Sequence, residues 1–350
     1  MNLINKPLAF ILRFFADLFG GSFAASILLF TVVINVVLIP LSIKSQKSAV
    51  GQTRIKPKLD ELKKKYGDDR QKLATAQQKL YQDEGISMSG GCLPTIIRLV
   101  LMMWIYSLIL SPLTYMANAD NVKVKNVSKT FSTAMTSLKK SDEDQYDKIK
   151  EKLSWDEKRS ANSELALIHL IDYDINHPED KIFEEVLSKK QYKKVKNDIV
   201  YLERTHKDSG INYNLFKNEK LDLTLTPGFS INIFGDFKLI WLIPISAFLA
   251  QMLTSVVSML INKKNNPDAP TMAGMLLTMP LISLFIGFSL PGGVGFYWIC
   301  SSLVGGLIQS CMQLFYGPHQ MLARERRKDL LERYNFEKKQ YDKFNSSAEE

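Results

Sequence analysis

One arginine stands inside an otherwise uncharged run. Arg98 interrupts the apolar stretch from Cys92 to about Tyr115, and a full charge at such depth costs several kcal/mol even on the lenient insertion scale. It either snorkels to the headgroups, from roughly 10 Å past Gly91, or faces a wet cavity. The apolar runs contain no Asp or Glu to neutralise it. A water-filled cavity, or a partner molecule bringing negative charge, explains such an arginine best. Asn35 falls at similar depth in the preceding run, and Thr31, Gln251, Thr254, Ser255, Ser283, Ser301, Ser302, Gln309 and Gln313 add further polar groups. Singly these are ordinary helix-packing residues. Together with Arg98 they suggest a hydrophilic concavity in the inner leaflet.

Nothing in this set is a catalytic pair. The four histidines all lie outside the apolar runs, His319 just past the last one, and no Ser/His, His/Glu or Gly-rich phosphate pattern occurs. Cys92, Cys300 and Cys311 have neither metal spacing nor a C-x-x-C pattern, so they read as small packing residues. The expectation is a chain without enzymatic activity, cofactor or metal.

The elements that position these residues are membrane helices. A mean hydropathy of −0.07 and 46% apolar residues resemble a soluble protein, but the apolar residues are blocked rather than dispersed. Ser22 to Ile43 is uncharged and roughly 33 Å long as a helix. Cys92–Tyr115, Phe237–Ile261, Thr271–Leu290 and Val294–Tyr316 follow, with Pro291-Gly292-Gly293 as a tight reversal before the fifth. The expected fold is an all-α polytopic membrane protein with five transmembrane helices.

Between the runs lie polar segments. Residues 1–19 read as an interfacial amphipathic helix that dips Phe10, Phe14, Phe15 and Leu18 into lipid, or as a flexible leader; the apolar region is too short for a cleavable signal peptide. Residues 20–115 hold the first two spans and a basic helical hairpin over 45–90, where Ile55, Leu59 and Leu62 form one stripe and Leu73, Gln77 and Leu80 another. Residues 116–236, with nearly balanced charge, read as a small, mainly helical domain with a β-hairpin near Leu221–Ile233; Val122–Lys150 is either helical or disordered. Residues 237–316 carry spans three to five, and 317–350 form a tail of mixed charge. The hairpin, the Asn262–Pro270 loop and the tail with Arg324, Arg326, Arg327 and Lys328 place one side in the cytoplasm by the positive-inside rule. The N-terminus and the 116–236 domain are then outside and the C-terminus inside.

The chain resembles the YidC/Oxa-type membrane protein insertases. The resemblance rests on Val36-Val37-Leu38-Ile39-Pro40-Leu41 followed by Lys44, on Lys56-Pro57-Lys58 through Lys65-Tyr66-Gly67-Asp68-Asp69, on Leu80-Tyr81 and Gly85, and on Gly91-Cys92-Leu93-Pro94. Later fragments are Met279-Pro280, Pro291-Gly292-Gly293, Tyr297-Trp298 and Ser301. Each is weak alone; their shared order and the basic hairpin make the match specific over roughly residues 20–115 and 237–316. Two departures stand out. The family's groove arginine sits in the first span, where this chain has Asn35, while Arg98 occupies a position where the family more often has Gln. This reads as relocation of the charge across one groove. The 116–236 segment is also far longer than the connection in many relatives.

The resemblance implies an insertase in the bacterial plasma membrane. Its client-binding groove would be lined by Arg98, Asn35, Thr31, Gln251, Thr254, Ser301, Ser302, Gln309 and Trp298, and its partners would be membrane proteins with short translocated tails. The basic hairpin and tail would recruit clients, ribosomes or a Sec translocon, or rest on anionic lipid; no nucleic acid is expected as a specific ligand. Rival classes are a small-solute transporter or channel and a non-inserting assembly scaffold. The transporter predicts paired repeats and midplane carboxylates, and neither is visible in the sequence.

Overall fold

The computed structural model describes residues 2–67, 69–85, 93–153, 155, 164–215, 221–229, 238–265 and 273–348. Every regular element among them is a helix. In chain order these are α1 (Asn2–Leu18), α2 (Phe23–Val37), α3 (Ile39–Tyr66), α4 (Arg70–Asp83), α5 (Leu93–Leu110), α6 (Pro112–Tyr115), α7 (Asn121–Ser141) and α8 (Glu143–Lys152). There follow α9 (Glu164–Asn176), α10 (Ile182–Val186), α11 (Lys189–Ser209), α12 (Leu242–Asn265, preceded by a 3-10 turn over Leu239–Trp241), α13 (Ala273–Gly287), α14 (Gly292–Tyr316) and α15 (Pro318–Ala348).

Among the described residues, two helices are long and apolar enough to cross a membrane, Leu239–Ile261 and Gly292–Tyr316. A third span arises if Phe23–Val37 and Ile39–Gln46 count as one, across a bend of 47°. Pro40, in the first turn of α3, explains the bend: it has no N–H to give and its ring clashes with the preceding turn. The helix does not stop at Lys44, where the sequence suggested that the first span closes. It continues unbroken to Tyr66 and becomes the first arm of the hairpin. The apolar part of α5, Leu99–Leu110, and the 15-residue α13 are shorter than a full span.

The chain divides into two compact units. Unit one comprises residues 1–34, 100–252 and 277–303, and unit two residues 35–99, 253–276 and 304–350.

Unit one has one continuous hydrophobic core. Ala9, Leu12 and Ala16 of α1 join Phe23, Ile27 and Phe30 of α2, Ile105 and Ile109 of α5, and Phe131, Ile168, Ile171, Phe183 and Leu202 of the 116–236 segment. That segment, called the insert below, therefore shares its core with the ends of the apolar helices. Asp120 caps α7 by accepting from the Val122 N–H, Asp142 caps α8 through Gln145, and Ser188 and Gln191 form a capping box on α11. Val122–Lys150, which the sequence left as helix or disorder, is thus helical. Of the expected hairpin near Leu221–Ile233, the described residues 221–229 form no strand and carry one isolated bridge, Asp222 with Asn214, while Ser22 bridges Asn212; residues 230–233 lie outside the described ones. In α1, Phe10, Phe14 and Leu18 are exposed as expected, whereas Phe15 turns in against the core.

Unit two holds the hairpin and the tail. α3 and α4 pack side by side, with an ion pair between Lys58 and Glu84. Asp69 caps α4 by accepting from the Lys72 N–H at 3.1 Å, which holds its carboxyl below the usual range. α15 also packs against α3 and leaves Leu330, Leu331, Tyr334 and Tyr341 exposed.

Candidate functional site

The apolar helices are two-faced, and one rotation of 100° per residue separates the faces. On α12 the exposed residues are Leu249, Leu253, Val256 and Leu260, one stripe. Gln251, Thr254, Ser255 and Ser258 fall on the opposite side and are half-buried. On α14 the exposed stripe is Leu303, Leu307 and Leu314; Trp298, Ser301, Gly305 and Gln309 line the other side, all half-buried. On α5 the exposed residues are Ile96, Leu99, Val100 and Met103; the Arg98 side chain lies outside the described ones. Thr31 and Asn35 share a face of α2, one turn apart, with Thr31 buried and Asn35 half-buried.

In unit two, two glycines of α14 let neighbouring helices approach. A β-carbon on Gly306 would lie 2.3 Å from Thr254 Cγ2, and one on Gly305 would lie 3.4 Å from Asn35 Oδ1. Asn35 of α2 and Thr254 of α12 are thereby brought against adjacent residues of α14, because only a glycine surface admits a helix so close. Gln309 lies one turn beyond Gly305. The glycine pair was not singled out in the sequence, although two adjacent glycines inside an apolar run are a usable sign of close packing.

Unit one holds Thr31, Gln251, Trp298, Ser301 and Ser302. The Thr31 hydroxyl donates to the Ile27 carbonyl at 2.7 Å, a bond within its own helix. The Ser283 hydroxyl lies 2.8 Å from Gln251 Oε1 and 2.8 Å from the Pro280 carbonyl, linking α13 to α12. Cys300 is buried and Cys311 exposed; Cys92 lies outside the described residues.

Polar chemistry outside the apolar helices concentrates in the insert, where the sequence reading assigned no residue. Glu164, at the start of α9, is buried and accepts from the Thr114 N–H at 2.9 Å and the Thr114 hydroxyl at 2.6 Å. Burial raises its carboxyl, against the lowering effect of those bonds. His206 pairs with Asp172 at 2.7 Å, and His169 with Thr224 at 2.8 Å. Tyr173 and Lys152 both engage Asp180, which holds that carboxyl below its ordinary value. No group of three metal-binding side chains occurs among the described residues.

The family described as 60Kd inner membrane protein matches residues 14–172. A stretch of 112 residues is 36% identical to Membrane protein insertase YidC 1 of Listeria monocytogenes, covering 31% of this chain and 39% of that protein. Another of 107 residues is 40% identical to Membrane protein insertase YidC of Alkalihalophilus pseudofirmus, covering 29% and 42%. The Fusobacterium nucleatum Membrane protein insertase YidC is 33% identical over 110 residues, covering 31% and 53%. The matched stretch thus spans about half or less of each relative's length.

Proposed function

We propose that the chain, whose residues 14–172 match the 60Kd inner membrane protein family, is a YidC/Oxa-type insertase that inserts client membrane proteins through a hydrophilic groove open to cytoplasm and lipid. In this reading it is a multi-pass protein of the bacterial plasma membrane with five spans, built on α2 with the start of α3, on α5, and on α12, α13 and α14. Its N-terminus is outside and its C-terminus in the cytoplasm.

The observation that carries the reading is the two-faced character of the apolar helices. Both α12 and α14 turn one leucine-rich stripe outward and carry half-buried polar residues on the other side. A helix surrounded only by lipid gains nothing from such a polar face. A wet groove does.

Mechanistically, Arg98 attracts acidic residues in the client's short tail, its field strengthened by the low dielectric around the groove. Asn35, Thr254 and Gln309 offer hydrogen bonds that replace water along the tail's path. The client's apolar segment then slides along α12 and α14, and partitioning into lipid drives release.

The test is depletion and complementation with a client that carries a short acidic translocated tail. Arg98→Ala at equal expression is expected to fail, and Asn35→Arg combined with Arg98→Gln to restore insertion. Normal insertion by Arg98→Ala would remove Arg98 from the mechanism.

A further inference from the structure

We propose that the insert is a clamp on the apolar helices, acting through a strap formed by residues 211–215 and 221–229. This assigns a task to the segment that the insertase reading leaves without one, and it does not depend on that reading.

The strap meets the helices mainly through its backbone. The Asn212 N–H donates to the Gly21 carbonyl at 2.9 Å, and the Phe23 N–H, opening α2, donates to the Asn212 carbonyl at 3.0 Å. At the start of α14, the Gly293 N–H donates to the Leu223 carbonyl at 2.6 Å and the Gly292 N–H to the Leu225 carbonyl at 2.8 Å. The Gly228 N–H donates to the Phe288 carbonyl, just past α13, at 3.0 Å. The Trp241 indole N–H, beside α12, donates to the Pro227 carbonyl at 3.0 Å. The Glu164–Thr114 bonds tie α9 to α6, immediately after α5.

The chemistry explains why these bonds matter. The first N–H groups of a helix have no partner within it, and such groups are expensive to leave unsatisfied away from water. Strap carbonyls serve as partners for α2 and α14. Close approach is needed at Gly293, where a β-carbon would lie 3.0 Å from Ile109 Cγ2 and 3.4 Å from the Leu223 carbonyl oxygen. At Gly21 it would lie 2.0 Å from the Gly210 carbonyl oxygen, and φ there is +84°. Both sites admit only glycine without rearrangement.

The strap is itself anchored to the insert. Leu223 and Thr224 are buried. Asp222 Oδ1 accepts from the Thr224 N–H at 2.8 Å and hydroxyl at 2.7 Å, and Thr224 contacts His169 of α9. Tyr213 stacks on His206 of α11 at 6.0 Å and meets the edge of Phe23 at 5.3 Å. Separating these helix ends therefore requires breaking the strap from them or from α9 and α11.

Hydrogen–deuterium exchange on the full chain in lipid nanodiscs tests the clamp. The Phe23, Gly292 and Gly293 amides are expected to be protected in the wild type. Asp222→Ala, which removes the acceptor that shapes the strap, is expected to speed exchange at Gly292 and Gly293 by about tenfold or more, as local opening predicts. Asp222→Asn keeps an acceptor oxygen and should stay within about twofold of wild type. Unprotected amides in the wild type, or Asp222→Ala indistinguishable from it, would overturn the clamp. As a check that does not rest on Asp222, Ser22→Cys with Asn212→Cys, the pair joined by an isolated bridge, is expected to cross-link under mild oxidation. Failure of the folded pair to cross-link counts against the strap.

Discussion

The methyl group of Thr254 lies 2.3 Å from where a β-carbon on Gly306 would stand. The contact belongs to unit two and fixes how closely α12 approaches α14 there. Gly306→Ala must therefore push the helices apart or force Thr254 from its rotamer, at about 1–3 kcal/mol. Thr254→Ser, which removes the methyl but keeps the β-carbon, is expected to recover part of that loss. Thermal unfolding in detergent of both single variants and the double variant reads the coupling directly.

Glu164 and Thr114 make the next prediction. Glu164→Ala leaves a buried N–H and hydroxyl without their acceptor, and is expected to cost about 1–3 kcal/mol. Glu164→Gln retains one carbonyl oxygen and should lose less. Equal losses in a denaturant titration would mean that packing, not hydrogen bonding, carries the contact.

The insert should also lose stability as pH rises. Burial, then the hydrogen bond and charge of Asp174, push the Glu203 carboxyl up to about 7 from an ordinary 4.5. Burial raises Asp174 as well, with Glu184 adding to it, and the Tyr192 hydroxyl is raised by burial and by the same acids. The folded chain thus binds more protons than the unfolded chain between about pH 4.5 and 7. The stability this confers is complete below about 4.5 and is lost as pH rises through about 7. Melting temperature followed from pH 4.5 to 8.5 should fall in the wild type and fall less in Glu203→Gln. A flat wild-type profile would contradict the protonated pair.

Client charge supplies a test of the proposed groove. If Arg98 recruits acidic tails, Arg98→Ala should impair clients with acidic tails far more than matched clients whose tail acids are replaced by Gln. Reversing the tail to Lys should make insertion poor even with Arg98 present. Equal impairment of all three would point to a packing role for Arg98.

Much of the chain was legible because hydrophobic periodicity is local. The apolar runs of α12 and α14, the basic helical hairpin, and the helical character of the insert follow from which residue types recur at helical spacing. The polar positions Asn35, Thr254 and Gln309 were legible for the same reason, since a polar residue in an uncharged run stands out whatever surrounds it. The bend at Leu38–Ile39 was less so: Pro40 was visible, but the continuation to Tyr66 was masked by the change from apolar to basic residues, a change that helix geometry ignores.

By itself, the sequence determined an all-helical membrane chain with an isolated arginine at position 98 and a large polar segment between its second and third apolar runs. Only the tertiary structure decided that Gly305 and Gly306 meet Asn35 and Thr254, that Glu164 is buried on Thr114, and that residues 211–215 and 221–229 bind the ends of four helices. Each of these joins residues far apart in sequence, through close approach or backbone hydrogen bonds. Any residue can offer a backbone carbonyl, so residue type alone does not mark where one will be used.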